Sequence, residues 1–336
     1  MVSIKDVAKH AGTSFKTVSR VINNDPAVRE ETRDKVLRSI EALNYRPNSA
    51  ARMMRNQKSG VIGFISDDVV TRPYAGELLL GAQEVASEHD KVLMVVNMEH
   101  DRRHRQQALD MLLERRVEGL VLATYYHREV EVPAELLSVP SVLVNCYSHR
   151  VQLPTFVPDD ERAGYEATRL LVERGHRRIG LISLHPEVTA AKLRLSGYRR
   201  ALEEGGLAFD SELVVRGEDV FGKEPAAYSV ETALAQLMAL SSRPTALVCG
   251  KDEFAMQAYF LLLRYGIRVG QEMALTSFDN QRLIAPNLSP GLTTMALPHL
   301  EMGRAAMRHL LGGETDNSTR LIPMPPIVRE SHRVDR

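Results

Sequence analysis

The chain has 336 residues, 44% hydrophobic and 26% charged, which allows roughly two or three packed domains and excludes a disordered chain. No apolar run reaches the ~18 residues of a membrane helix. No basic segment leads into a hydrophobic one at the N-terminus, and the two distant cysteines, Cys146 and Cys249, suit a reduced compartment and have no metal-site spacing, so the expected location is the cytoplasm. Net charge is zero, yet residues 1–58 hold twelve Lys/Arg against six Asp/Glu, a surplus of +6 that the remaining residues offset with −6. That asymmetry fits a basic headpiece meeting phosphates, or equally a solvated helical face.

Ser3, with Asp6 three residues on, is a capping pattern for a short first helix. Ile4, Val7, Ala8 and Ala11 share one face of it, and Gly12 stops it. Ser14 caps a second helix, with Val18, Val21 and Ile22 inward and Asn23-Asn24-Asp25-Pro26 at its end. A third helix is predicted from Glu30 to Leu43, burying Val36, Leu37, Ile40 and Leu43. Two short helices joined by a tight Gly-containing turn and braced by a third form the helix-turn-helix plan. The second helix turns Phe15, Lys16, Thr17, Ser19 and Arg20 outward, groups able to reach base edges and phosphates in a major groove. A three-helix bundle with a polar face has the same spacing.

The run from Ile4 through Ala8, Gly12, Phe15, Val18 and Arg20 to Asn24, then Glu31–Val36 and Leu43–Asn48 to Ala51-Arg52, resembles the headpiece of the lactose/galactose/purine repressor family of bacterial transcription regulators. The resemblance implies that Ser14, Phe15, Lys16, Thr17, Ser19, Arg20 and Asn23 form the DNA contact, with Phe15 and Lys16 reading bases. Arg29 stands where the family often has a capping Ser or Thr, which weakens the third helix's cap and adds a candidate phosphate contact. Asn48 opens a segment, Ser49 to Asn56, that is similar to the family's hinge helix. Arg52 and Met54 are its expected DNA contacts, with Met54 as a minor-groove wedge where the family usually carries Leu. So short a helix is marginal alone and is expected to form only when paired with its dimer mate on DNA. The expected division is a headpiece at 1–46, a hinge at 47–59 and a two-lobed core at 60–336.

In the core, predicted strands at Val61–Ile65, Val92–Val96, Gly119–Ala123, Val142–Asn145, Ile179–Ser183, Ala246–Cys249 and Ala274–Phe278 alternate with helical stretches. These are predicted at Tyr74–Glu88, Arg103–Arg115, Arg162–Arg174, Ala190–Glu204, Ala226–Leu240, Glu253–Tyr265 and Leu300–Leu311. Alternation of this kind implies parallel sheets covered by helices, here in two lobes with a ligand cleft beyond the strand ends. The fold class expected is therefore an all-α helix-turn-helix headpiece plus an α/β core. Segments such as Glu173–Ile179, Leu193–Tyr198, Ser277–Asn280 and Pro290–Met295 extend the resemblance across the core, to the fold of periplasmic sugar-binding proteins. Asn145-Cys146, Leu153–Asp160 and Arg320–Pro323 look most like sucrose-operon repressors.

Arg194 and Asp279 match the family's two polar anchors, an Arg fork and a carboxylate suited to sugar hydroxyls. Tyr74, Tyr125, Tyr126 and Phe221 offer flat surfaces for a sugar ring, or pack in the core. Asn145 and Asp159 are further candidates. Lys251 replaces the family's usual Asn: it binds an anionic sugar together with Arg194, or it pairs locally with Asp279, Glu253 or Asp252. Pairing, and hence a neutral sugar, is the expectation, because a buried charge is normally paired. His100 and His104, four apart, read as a solvated face rather than a metal pair, and the acidic pairs Asp67-Asp68 and Asp159-Asp160 read as turns. No nucleophile with a base, no phosphate loop and no Cys-x-x-Cys is present, so neither an enzyme nor a cofactor is expected. The resemblance implies a homodimeric repressor that binds a roughly palindromic DNA operator, responds to a small sugar effector and has no membrane partner. The C-terminus lacks a leucine heptad that would hold a tetramer. Use of the ligand as corepressor, or a sugar-binding receptor or enzyme without DNA binding, are the alternatives.

Overall fold

The computed structural model describes residues 2–45, 58–66, 75–97, 102–219 and 227–334. Within it the chain divides into two units, residues 1–60 and 61–336. In the first, the Ser3 hydroxyl accepts from Asp6 N while Asp6 Oδ2 accepts from Ser3 N at 2.8 Å, a complete capping box that starts α1 (Ile4–His10). Gly12 takes φ +61° in the turn, a conformation that costs glycine little. Ser14 Oγ then accepts from Thr17 N at 3.1 Å and starts α2 (Phe15–Ile22). The third helix, α3 (Glu30–Ala42), begins at Arg29 with no side-chain cap. Val7, Ala8, Ala11, Val18, Val21 and Val36 form the core, with Ile4, Ile22, Ile40 and Leu43 at its margin.

Leu37 does not join them. It is exposed, and Ser39 is buried instead, its hydroxyl donating to Lys35 O at 2.9 Å. The buried face of α3 is centred on Val36, Ser39, Ile40 and Leu43, and one step from Val36 turns Leu37 about 100° away from it.

The second unit holds two sheets among its described residues. The first comprises β1 (Val61–Ser66), β2 (Val92–Asn97), β3 (Gly119–Glu129), β4 (Ser141–Tyr147), β5 (Thr155–Pro158) and β11 (Thr319–Ile322), in the order β11-β5-β4-β3-β1-β2 and parallel throughout. The second comprises β6 (Ile179–Ser183), β7 (Val214–Arg216), β8 (Ala246–Cys249), β9 (Ala274–Asp279), β10 (Thr293–Ala296) and β12 (Pro326–Ile327), ordered β12-β10-β9-β8-β6-β7. Only the β10–β12 pair within it is antiparallel. Strands buried on both faces read as unbroken apolar runs. In β3, Val121 and Ala123 enter one cluster and Leu120 and Leu122 the other. In β8, Leu247 and Cys249 part from Ala246 and Val248 in the same way. The helices cover these faces: α4 (Ala75–Glu88), α5 (Arg102–Glu114) and α10 (His299–Gly312) on the first lobe, and α6 (Asp160–Glu173), α7 (Thr189–Glu204), α8 (Val230–Ala239) and α9 (Asp252–Leu263) on the second.

The chain crosses between lobes after β5, before α10 and between β11 and β12. The first crossing delivers Asp160 to the start of α6. That helix lies tightly against α7, because Gly164 and Gly197 let the two backbones touch. A Cβ on Gly197 would fall inside the Glu161 carbonyl oxygen, and one on Gly164 inside the Arg194 carbonyl oxygen. One residue on, Tyr198 is fully buried and its hydroxyl donates to Ile179 O at 2.7 Å. Gly197→Ala is expected to lower unfolding stability by about 1–3 kcal/mol, the cost of overpacking a site that cannot relax, measured by urea titration of the full chain.

Candidate functional site

On α2, local hydrogen bonds separate side chains that shape the helix from those that face outward. The Ser14 and Thr17 hydroxyls lie 3.0 Å apart within the N-terminal cap, and Asn23 Nδ2 donates to Ser19 O at 2.6 Å at the other end. Phe15, Lys16 and Arg20 are exposed. Arg20 Nε donates to Asp25 Oδ2 at 2.7 Å, and this hydrogen bond holds the Asp25 carboxyl below its ordinary pKa. Arg33 donates to Asp25 O at 2.7 Å, tying the turn to α3. The predicted hinge contacts Asn48, Arg52 and Met54 lie outside the described residues, as do His100 and Asp67-Asp68.

In the core, strand ends from both lobes meet at a cleft lined by Tyr125, Tyr126, Asn145, Arg194, Lys251 and Asp279, together with His127, Asp160 and His299. The predicted Tyr74 and Phe221 lie outside the described residues. The cleft has a volume of about 60 Å³, room for a few waters.

Each lining group has a local cause. The β3–β4 ladder shifts register between Ala123 and Arg128. Asn145, at φ +56°, holds that irregular stretch by donating Nδ2 to Thr124 O at 3.0 Å and Tyr125 O at 2.8 Å. The Tyr125 and Tyr126 rings stand edge to face, 4.4 Å apart. Arg194 Nε and Nη2 both lie 2.8 Å from Asp160 Oδ1, Nη1 donates to Gly250 O at 2.6 Å, and the guanidinium stacks 4.2 Å over the Phe278 ring. His127 Nδ1 lies 2.9 Å from Asp160 Oδ2. Burial opposes the charge on Asp160, yet Arg194 and then His127 outweigh it and hold the carboxyl below its ordinary pKa.

Asp160 was expected in a turn; it is instead the first residue of α6 and almost fully buried. Asp159 caps the same helix, its Oδ1 accepting from Arg162 N at 3.2 Å. An acidic pair followed by helical spacing is also an N-terminal helix signal, which could have found it.

Asp279 closes the opposite wall at φ +112°, a strained conformation for a residue with a Cβ. Asp252 holds this bend, its carboxylate accepting from Gln281 N at 2.7 Å and from Thr294 Oγ1 at 2.7 Å. Burial raises the Asp279 pKa, and the neighbouring Asp252 charge raises it further. Lys251 is paired, as expected, with Glu253 at 3.3 Å, but its nearer partner is Glu218 at 2.6 Å. Burial disfavours the ammonium, while Glu218 and then Glu253 keep its pKa above the ordinary value. Among the described residues, no His/Cys/Asp/Glu group is placed to hold a metal ion, and no helix is long and apolar enough to cross a membrane.

Residues 3–48 match the model for bacterial regulatory proteins of the lacI family, and residues 59–330 match that for periplasmic binding proteins and the sugar binding domain of the LacI family. The chain belongs to the lacI family. As a lacI-family member it is a DNA-binding transcriptional repressor with an effector-binding core, and not an enzyme. It is 34% identical to the sucrose operon repressors of Shigella flexneri and Escherichia coli, over 98% of this chain and 99% of theirs. Among solved structures it is similar to the lac repressor dimer bound to operator and an anti-inducer, with 25% identity, 99% coverage of both chains and a TM-score of 0.78. It is also similar to the complex of the transcriptional regulator CelR with cellobiose, with 26% identity, coverage of 98% and 100%, and a TM-score of 0.67.

The raised pKa of the Asp252 and Asp279 carboxyls gives an expected dependence of stability on pH. A carboxyl whose pKa is raised on folding holds its proton in the folded state when the unfolded chain, at about 3.9, has lost it. Stability therefore falls as pH rises from the unfolded value through the folded one. Asp279→Asn is expected to flatten that decline between about pH 4 and 8, measured by chemical denaturation at each pH.

Proposed function

We propose that the protein is a homodimeric cytoplasmic repressor that grips a roughly palindromic operator and lets go when a small sugar-type effector fills the cleft. The observation that carries the reading is the seam His127–Asp160–Arg194, which links a strand of one lobe to a helix of the other at the cleft itself. A ligand seated there has a different affinity for open and closed lobes, and that difference is what shifts a DNA equilibrium. A sugar is favoured by the 34% identity to sucrose operon repressors and by the likeness to the cellobiose complex of CelR.

The working division is a headpiece at 1–46, a hinge at 47–59 and the core at 60–336. In the headpiece Phe15, Lys16 and Arg20 reach bases or phosphates. Ser14, Thr17, Ser19 and Asn23 set the helix and contact the backbone, and Asn48, Arg52 and Met54 meet the minor groove. In the cleft Arg194 and Asp279 bind hydroxyls, and Tyr125 with Tyr74 and Phe221 supplies ring surfaces. Dimerisation is supported by exposed apolar side chains: Leu80, Val92, Val95 and Met111 on one lobe, and Phe260, Leu263 and Leu283 on the other.

Fluorescence anisotropy with operator DNA tests the reading. Affinity is expected to fall steeply with salt, by close to one power of salt concentration per phosphate contacted. Lys16→Ala is expected to cost about 1–3 kcal/mol and leave sugar binding intact. Affinity indifferent to salt would count against DNA binding. Arg194→Ala is expected to bind operator yet no longer respond to sugar. Operator binding tightened by the sugar would replace release with corepression.

A further inference from the structure

Arg194 and Lys251 are the permanent cations among the described residues lining the cleft, and neither is available to a ligand anion as a lone charge. Arg194 spends its charge on Asp160, with both side chains almost wholly buried. Lys251 spends its charge on Glu218, and less closely on Glu253, beside the Phe254 ring at 4.8 Å. The Lys251 and Glu218 side chains are only 18% and 17% exposed. A pair so far out of water attracts several times more strongly than one in bulk solvent. Three carboxylates, of Asp160, Glu218 and Glu253, thus stand against two cations around the site, with the Asp279 carboxyl, which favours keeping its proton, beside them. Glu218 Oε1 is buried with no hydrogen-bond partner among the described residues. Lys251 also lines a neighbouring hollow of about 270 Å³ that Glu218 and Tyr228 share, so this carboxylate borders space a ligand can reach.

We propose that Glu218 is a specificity-determining residue: by holding the Lys251 ammonium it makes the cleft accept an uncharged, polyhydroxylated effector and reject the phosphorylated or carboxylated form of the same ligand. A hydroxyl can meet the Asp279 carboxyl, which lines the cleft, without disturbing the Lys251 pair. A phosphate must either break that pair or sit among carboxylates, and an introduced like charge is how a site discriminates against a near-isostere. The inference rests on the cleft being the effector site.

The test uses the full-length protein, its Glu218→Gln and Lys251→Gln variants and the double variant. The probes are inorganic phosphate and the matched pairs glucose and glucose 6-phosphate, fructose and fructose 6-phosphate, and sucrose and sucrose 6-phosphate, followed by calorimetry and thermal shift. Operator anisotropy verifies that each variant is folded. The unaltered protein is expected to bind any neutral sugar it takes at least about tenfold more tightly than the phosphorylated partner, and to show no phosphate binding that depends on Lys251. Glu218→Gln is expected to gain phosphate binding and to move preference toward the phosphorylated sugar. The double variant is expected to lose that gain. Inorganic phosphate decides the matter even where none of the three sugars binds. If Glu218→Gln does not fold, Lys251→Gln serves: rejection of phosphorylated sugars is expected to persist in it. A preference of the unaltered protein for the phosphorylated sugar, a folded Glu218→Gln with no gain in phosphate affinity, or phosphate binding abolished by Lys251→Gln would each overturn the proposal. Neutral-sugar binding untouched by Arg194→Ala would instead move the effector out of this cleft, a separate failure.

Discussion

The buried charge of Arg194 governs how the core is assembled around its cleft. A guanidinium removed from water is costly unless every face of it is answered. Here Asp160 supplies the counter-charge, the Gly250 carbonyl takes a further N–H, and the Phe278 ring covers one face. Those partners come from three places: the first crossing between lobes, the end of β8 and the end of β9. The touch of α6 and α7 at Gly164 and Gly197 brings Asp160 and Arg194 together, and the β8–β9 neighbourhood in the sheet brings Gly250 and Phe278. His127 then attaches the other lobe to the same carboxylate. Packing, charge and lobe geometry are one constraint at this point, so a ligand that perturbs the Arg194 environment acts on both lobes at once.

The opposite wall is built on a different economy, one of strain held by hydrogen bonds. The Asp252 carboxylate receives Gln281 N and Thr294 Oγ1, and the chain before Gln281 is thereby bent to φ +112° at Asp279. The bend turns a carboxyl toward the cleft beside a second carboxyl, an arrangement that favours keeping a proton. Such a group can offer either a donor or an acceptor to a hydroxyl. With the Arg194 and Lys251 charges answered by neighbours, the site is polar without being strongly cationic.

The headpiece works by a simpler division of labour. Its apolar centre is small and made of Val and Ala, so it relies on caps to define helix ends. Ser3, Ser14 and Asn23 perform that role, while Phe15 and Lys16 project from the first turn of α2 and Arg20 is held in place by Asp25.

Local chemistry was legible in the sequence. The capping box at Ser3, the α2 cap at Ser14 and the strands at Ile179–Ser183 and Ala246–Cys249 follow from spacing over a few residues. Strand–helix alternation supplied the two-lobed plan, and the lacI-family resemblance supplied Arg194, Asp279 and the weakened cap at Arg29. The short strands β5, β7, β10, β11 and β12 were not legible, because their stability comes from a neighbouring strand. In β10, Thr293 and Thr294 are buried only because Arg329 O and Asp252 receive their hydroxyls. Leu37 and Ser39 exchanged places because the face of α3 is set by where its neighbours lie. Asp160 and Glu218 were missed for one reason. A carboxylate is read as solvent-facing until a cation from distant sequence arrives, and Arg194 lies 34 residues from Asp160 and Lys251 33 residues from Glu218. Residue types and local order were written in the chain; which charge answers which was decided by tertiary structure, since electrostatic pairing depends on distance in space and burial rather than on position in sequence.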